Sequence, residues 1–468
     1  MLASAVALTP RGGRAQAPAT PVQVPTVPVE KYVLPNGLTV LLSENHSAPI
    51  TAVVVWYHVG SRNEKVGRTG FAHFFEHMMF TGSEHVPEGQ HFKILESIGA
   101  NLNGTTNNDR TLYFEVVPSN ETETALWLES DRMGFLPPAM TEERLTAQKN
   151  IVQNERRQGV DNQPFGLQND IIYSALFPAD NPYSWSVIGS LADLQAASMA
   201  DVKGFFAQYY APNNATLSIV GDFNRAKVKA LVSRYFGDIP RGPAIERAPI
   251  PPARLTAEKR LVLEDSRTSL PQMRILWPTV GSDSRDRYAL AALSSILTQD
   301  RTSRLTKLLV HERQLVTNVG AGNTSYENAG FFGINVTPRP TASLTTIETL
   351  VDSVVAAIVA TPPTPKEVGR ARNFRTVSSV TGLQSDLNKA TSLAEGSSTY
   401  GDPLASFKQI ALYAAVTPED VQRVARQYLT SGRVVLSMVP AGKLDMVSKS
   451  SLPYRNVTPP TPAAAVKP

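Results

Sequence analysis

The alternation of apolar and polar positions predicts two halves that each mix short strands with longer helices. In the first half, Thr39–Leu42 and Ile50–Tyr57 are rich in β-branched residues, which predicts two strands. Helix-start signals predict helices over Thr69–Phe80, Asn120–Phe135 and Thr141–Gln158. In the second half, Thr364 and Thr417 are each followed by Pro and a nearby acid, which predicts two further helix starts.

A degenerate internal repeat relates the two halves. Asp201-Val202 recurs as Asp420-Val421, 219 residues later, and Trp56 recurs as Trp277, 221 residues later. Self-similarity at a long, nearly fixed offset indicates duplicated structural units. The sequence therefore predicts an α+β fold of two tandem homologous domains, each a mostly antiparallel sheet covered by helices.

Composition shifts along the chain set the predicted domain boundaries. A proline-rich stretch between the halves is typical of a linker. The predicted division is a signal-like or disordered segment over 1–29, a first domain over 30–239, a linker over 240–254, a second domain over 255–445 and a flexible tail over 446–468.

The N-terminal segment has some features of a secretion signal. Leu2–Leu8 is apolar, and Ala15-Gln16-Ala17 has the small residues of a cleavage site, but no Lys or Arg precedes the apolar stretch. These features predict a periplasmic protein. The alternative is a cytoplasmic protein with an ordinary disordered tail.

Composition narrows the classes of chemistry. Hydrophobic residues make up 42% and charged residues 18% of the chain, and no apolar run is long enough to span a bilayer. The net charge of +4 is spread without a basic block, which disfavours nucleic-acid binding. Because the chain has no cysteine, thiolate ligands and nucleophiles are excluded, and any metal must be held by His, Asp or Glu.

The strongest chemical signal is a His-x-x-Glu-His motif formed by His73, Glu76 and His77. This is the reverse of the common zinc-protease order. Because the chain has only seven histidines, the motif is improbable by chance. On a helix, His73 and His77 lie about 40° apart on one face, so both imidazoles can reach one ion. Glu76 lies beside them, where a carboxylate can act as general base without being a ligand.

A catalytic zinc site needs a third protein ligand, and Glu155 is the candidate. It lies on the predicted helix Thr141–Gln158. The alternative is a surface acid paired with Arg156 or Arg157, and spacing alone favours that alternative.

Together these motifs resemble the pitrilysin, insulin-degrading enzyme and mitochondrial processing peptidase family, over about residues 30 to 445. The family's inverted motif matches His73, Glu76 and His77, and its downstream acidic element matches Asn154-Glu155. The resemblance implies a zinc metalloendopeptidase that cuts extended peptides. One Zn²⁺ per chain is then held by His73, His77 and Glu155, with Glu76 as the general base.

The resemblance also implies a substrate-binding edge strand, which matches Asn103, Gly104 and Thr105 here. Main-chain pairing at an edge strand gives affinity for extended peptides with little dependence on side chains. The alternative interpretation of this segment is an ordinary Gly/Asn turn before a strand.

Full-length relatives supply an Arg and a Tyr from the second half, and the matching positions here are Val310 and Thr317. The helix predicted near Arg287 also carries no His or Glu in the matching region. The resemblance therefore implies the catalytic half of a heterodimer whose homologous partner supplies the Arg/Tyr pair, although the isolated chain can form a homodimer. The alternatives are a non-catalytic core or assembly subunit and a self-sufficient homodimeric peptidase.

Overall fold

The structure, a computed structural model, describes residues 26–247 and 250–458. The elements of the first half are β1 (Glu30–Val33), β2 (Thr39–Glu44), β3 (Ile50–Tyr57), α1 (Phe71–Met78), α2 (Gln90–Ser97), β4 (Asn101–Thr106), β5 (Thr111–Pro118), α3 (Thr122–Gly134), α4 (Glu142–Arg156), α5 (Gln168–Leu176), α6 (Leu191–Ala196), α7 (Met199–Tyr209), β6 (Ala215–Gly221) and α8 (Arg225–Phe236).

The second half repeats this order in outline. Its elements are β7 (Lys259–Asp265), β8 (Gln272–Val280), α9 (Asp286–Thr298), β9 (Val316–Ser325), β10 (Ala329–Pro338), α10 (Leu344–Ala360), α11 (Pro365–Gly382), α12 (Asp386–Tyr400), α13 (Ala405–Ala414), α14 (Pro418–Tyr428), β11 (Val434–Pro440) and β12 (Arg455–Asn456). Within the described ranges, no single helix is long and apolar enough to cross a membrane. Helices α10 and α11 together have the length and apolar composition for it, but the chain bends by 104° between them.

Each half contains one six-stranded mixed sheet. The strand orders are β1-β2-β6-β3-β5-β4 and β12-β7-β11-β8-β10-β9. The pairs β2–β6, β7–β11 and β7–β12 are parallel, and the remaining pairs are antiparallel. The predicted α+β class, with two homologous and mostly antiparallel sheets, is confirmed.

Several predicted elements differ at their ends. Strand β3 has the predicted bounds, whereas α1 is shorter than predicted because Gly70, at φ 87°, breaks the helical path before Phe71. Strand β12 lies inside the predicted tail and pairs with β7. The predicted domain boundaries stay predictions, as does the periplasmic location, whose signal-like segment lies almost wholly outside the described residues.

Strand β3 contributes apolar side chains to two hydrophobic cores, one on each face of the first sheet. Val53, Val55 and Tyr57 face the core beneath the first half's own helices, and the alternate residues Ala52 and Val54 face a second core on the other side of the sheet. Both sets are fully buried, so each face of the sheet needs a cover.

The second cover comes from the other half of the chain. Helix α12 packs on β3 and β6 of the first sheet through Ala390, Leu393 and Ala394. Reciprocally, α5 packs on β8 and β11 of the second sheet through residues that include Ile172 and Leu176. Each half therefore contributes one helix that covers the sheet of the other half, and we call this the helix exchange.

We predict that Leu393→Ala destabilises the whole chain. Leu393 is fully buried between α12 and the first sheet, so truncation removes apolar contacts and leaves a cavity, at a cost of about 2–5 kcal/mol in the free energy of unfolding. Chemical denaturation measures this change. The matched control is Leu452→Ala, since Leu452 is 43% exposed. A loss no larger than that of the control would contradict the role given to the exchanged helix.

Candidate active site

Helix α1 is anchored at its N-terminus by a buried carboxylate. Glu64 accepts hydrogen bonds from the backbone N–H of Gly70 at 3.0 Å and of Ala72 at 2.8 Å, and from Nε1 of Trp185 at 3.0 Å. A carboxyl group at this end of a helix satisfies free N–H groups, and although these hydrogen bonds oppose it, burial raises the pKa of Glu64 to about 8. These bonds fix the first turn of α1, directly ahead of His73.

The polar face of α1 brings the two predicted histidines together with Glu155. Nε2 of His73 lies 3.8 Å from one carboxylate oxygen of Glu155, and Nε2 of His77 lies 3.4 Å from the other. One ligand atom from each of the three residues falls within 4.8 Å of the others. Helix α4 delivers Glu155 by packing against α1. Distant parts of the chain therefore converge on one point.

The surroundings of His73 and Glu155 favour the form of each side chain that can bind a metal. Burial lowers the pKa of His73 to about 4, so this imidazole is neutral and its lone pair is free at neutral pH. The neighbouring His77 holds the pKa of the Glu155 carboxyl below its ordinary value, which keeps it ionised. Two imidazole nitrogens and one carboxylate form a donor set that suits Zn²⁺ and leaves room for a fourth ligand.

Glu76 lies beside this cluster but is not part of it. Its carboxylate accepts a hydrogen bond from the hydroxyl of Thr106 at 2.6 Å. Burial raises the pKa of Glu76, and the hydrogen bond from Thr106 opposes that rise. A partly buried carboxyl with a raised pKa is suited to proton transfer near neutral pH.

Strand β4 runs past Glu76 at the edge of the first sheet. Asn107 N–H bonds to Arg110 O at the hairpin end, and bonded and non-bonded pairs alternate along an antiparallel ladder. Of the three predicted substrate-binding residues, only Gly104 therefore points its main-chain N–H and C=O to the free edge. The main-chain N–H and C=O groups of Asn103 and Thr105 point towards β5. The side-chain oxygen of Asn103 accepts from Gly104 N–H at 2.8 Å.

At the matching place in the described part of the second half there is no equivalent cluster. Helix α9, the counterpart of α1, is buried from Tyr288 to Leu297. Val310 packs against the second-half core, and Thr317 is exposed at the start of the edge strand β9. Among the described residues, His73, His77 and Glu155 are the one group of three or more His, Asp or Glu side chains whose ligand atoms all lie within 4.8 Å of one another.

Models of two protein families match the chain and together cover well over half of it. The insulinase model, peptidase family M16, matches residues 39–182, and the model described as the peptidase M16 inactive domain matches residues 196–374. The chain belongs to the M16 peptidase family. The inverted motif lies within the insulinase match, and α9 lies within the inactive-domain match, as the differing chemistry of the two halves predicts.

Several members of the M16 family resemble the chain over most of its length. The zinc protease PqqE of Helicobacter pylori is 29% identical over 312 residues, or 65% of this chain and 68% of that protein. The mitochondrial-processing peptidase subunit beta of Blastocladiella emersonii is 26% identical over 88% of each chain. The crystal structure of a protease from Helicobacter pylori, 24% identical, shares the fold with a TM-score of 0.83 over 88% of this chain and all of that one.

The second half also contacts the hairpin that carries β4. Asp109, at the tip of the β4–β5 hairpin, accepts from the backbone N–H of Glu327 at 3.0 Å and from the hydroxyl of Tyr183 at 2.7 Å. Arg62 forms an ion pair with Glu327 at 2.6 Å. Burial alone raises the pKa of Glu327, but its pKa lies below the ordinary value because His58 and Arg62 stabilise the carboxylate. The hairpin that carries β4 is therefore held by residues of both halves.

Two polar contacts of this site are missing from the sequence-based prediction. No local pattern marks Glu64, because its partners in α1 and Trp185 become neighbours only in the fold. Thr106 carries a weak signal, since alternation along a strand puts it on the same face as Gly104.

We predict that Glu64→Gln loosens α1. Both carboxylate oxygens accept N–H donors, so an amide turns one acceptor into a donor that opposes a backbone N–H, at a cost of about 1–3 kcal/mol in the free energy of unfolding. Thermal and chemical unfolding measure the loss, with the exposed Glu96→Gln as the control. Equal stability of the two variants would contradict the anchoring role.

Proposed function

We propose that this chain is a zinc metalloendopeptidase that hydrolyses internal bonds of extended peptides. The observation that carries the proposal is the convergence of His73, His77 and Glu155 within ligand distance of one another, with Glu76 alongside and not among them. Membership of the M16 peptidase family supports the reaction class. The names of relatives described as zinc proteases support the metal.

In this proposal, one Zn²⁺ is held by Nε2 of both histidines and by Glu155. Zinc supplies a Lewis acid that polarises a carbonyl and lowers the pKa of water bound to it to about 7. Glu76 accepts the proton of the attacking water and later returns it to the leaving amine. Its raised pKa suits both roles, since the same group must gain and lose a proton in each cycle.

The substrate is proposed to lie along the free edge of β4. An extended peptide adds as a further strand there, pairing with the outward N–H and C=O groups of Leu102, Gly104 and Thr106, and its carbonyl replaces Oδ1 of Asn103 as the acceptor of the Gly104 N–H. Gly104 is the central one of the three, next to Glu76, so a paired peptide passes directly in front of the general base. Recognition through the main chain favours extended segments over folded ones, because only an extended segment can pair along a strand.

A homologous partner chain is proposed to complete the site. Neither Val310 nor Thr317 can donate the charged or phenolic hydrogen bonds that the family's Arg/Tyr pair gives to the oxyanion. A similar relative is named as subunit beta of a processing peptidase, and a subunit implies partners in that protein. Val310 packs on the second-half core, so this position is built for packing and not for presenting a charge.

We predict that His77→Ala abolishes zinc binding. Removing one of three protein ligands leaves too few donors to retain the metal through purification. Metal analysis of protein prepared without chelator is expected to give about one zinc per wild-type chain and almost none in the variant. His46→Ala is the control, because His46 is exposed and pairs with Asp222. Unchanged zinc in His77→Ala would overturn the ligand assignment.

We predict that Glu76→Gln keeps zinc and loses activity. The amide preserves the shape of the side chain but cannot take a proton, so kcat is expected to fall by a factor on the order of 10²–10⁴. Metal analysis and a fluorogenic peptide assay on the same preparation separate the two effects. Loss of zinc in this variant would make Glu76 a ligand instead of a base.

We predict that the purified chain cleaves peptides slowly alone and faster with a homologous chain that carries the Arg/Tyr pair. Each missing oxyanion donor typically costs about 10²–10³ in kcat, so the gain is expected to reach at least that range. The assay compares the chain, the partner and their mixture at equal concentrations. Full turnover by the chain alone would support a self-sufficient peptidase and contradict the split site.

A further inference from the structure

The hydroxyl of Thr106 makes the one hydrogen bond that a side chain in the described residues gives to the Glu76 carboxylate. It donates to Oε2 at 2.6 Å. Thr106 is the last residue of β4 and Glu76 lies on α1, so the contact joins the edge strand to the helix that carries the His-x-x-Glu-His motif. The other carboxylate oxygen, Oε1, receives no such bond.

The single proton of the Thr106 hydroxyl is directed at Glu76 by its neighbours. The alternative acceptor, Oγ1 of Thr111, is 3.5 Å away and neutral. A bond to a carboxylate at 2.6 Å is the stronger of the two. Thr111 meanwhile donates its own proton to the carbonyl of Val59 at 2.9 Å, so it does not compete for Glu76.

Gly104 makes this arrangement possible. It lies two residues before Thr106 on the same face of β4, and a Cβ at this position would lie 3.0 Å from both Cγ and Oε1 of Glu76 and 2.9 Å from Cε2 of Phe80. Such contacts are too close for the side chains to stay in place. The absence of a side chain at Gly104 therefore lets the Glu76 carboxylate lie against the strand, within reach of Thr106.

We propose that Thr106 is a positioning residue for the general base. Its hydroxyl fixes Oε2 of Glu76, and its β-branched side chain restricts the hydroxyl to few rotamers, so that Oε1 is the oxygen presented for proton transfer. The inference rests on the proposed function of Glu76. It adds that the strand offered to the substrate also orients the base, so the two components share one rigid element.

The test compares Thr106→Val, which keeps the branched shape without the hydroxyl, with Thr106→Ser, which keeps the hydroxyl. Thr106→Val is expected to lower kcat about tenfold or more with KM and zinc content unchanged, because the backbone edge and the ligands are untouched. Thr106→Ser is expected to recover most of kcat. Thr349→Val, an exposed position on α10, is the control for the chemical change alone.

A double-mutant cycle with Glu76→Gln decides whether the effect passes through Glu76. Thr106→Val is expected to cause little further loss of the residual rate in the Glu76→Gln background, and a crystal structure of Thr106→Val is expected to show the Glu76 carboxylate displaced. Equal losses in both backgrounds would overturn the positioning role. So would a Thr106→Ser variant no better than Thr106→Val, or a Thr106→Val variant with unchanged kcat or with lost zinc. Full activity of Glu76→Gln by itself would instead refute the proposed function.

Discussion

The exchange of α5 and α12 between the two halves is the constraint on which the rest of the structure depends. Each sheet is apolar on both faces, and its own helices cover one face. The other face is covered by the helix that the opposite half contributes. A large uncovered apolar face is unfavourable in water, so neither half is complete without the other. The two sheets are thereby joined into one packed unit, although each has its own core.

This joining gives the second half, whose described residues form no metal-binding group of their own, a part in shaping the site. The tip of the β4–β5 hairpin at Asp109 meets the β9–β10 tip at Glu327, and Arg62 bridges the two carboxylates. Edge strands are otherwise held on one side only, and the free side of β4 is the surface proposed to bind the peptide. Support from the second half therefore falls where β4 needs it, at the end next to Thr106 and Glu76.

Sequence patterns predicted the features that neighbouring residues determine, such as strand bounds and helical spacing. They missed the contacts between residues that lie far apart in the chain. The bounds of β3 follow from its unbroken apolar run, and the spacing of His73 and His77 follows from helical geometry. Periodicity identifies an apolar face on α5 or α12, but it cannot say which sheet that face covers. Local spacing likewise left Glu155 open to interpretation as a surface acid, because only the packing of α1 on α4 brings it to the histidines.

The contrast between α1 and α9 shows why one half can carry the chemistry and the other can lose it. In α1, Phe71, Phe74, Phe75 and Met78 form the buried stripe that the fold requires, and the motif residues occupy the partly open stripe beside it. In α9 every residue from Tyr288 to Leu297 is buried, and α11, α13, α14 and β9 pack against the helix, so no comparable open stripe is left along these described residues. Core packing needs only the inner stripe, so the outer stripe can change without loss of the fold. Where that stripe is open it can hold ligands and a base, and where it is covered it adds to the core.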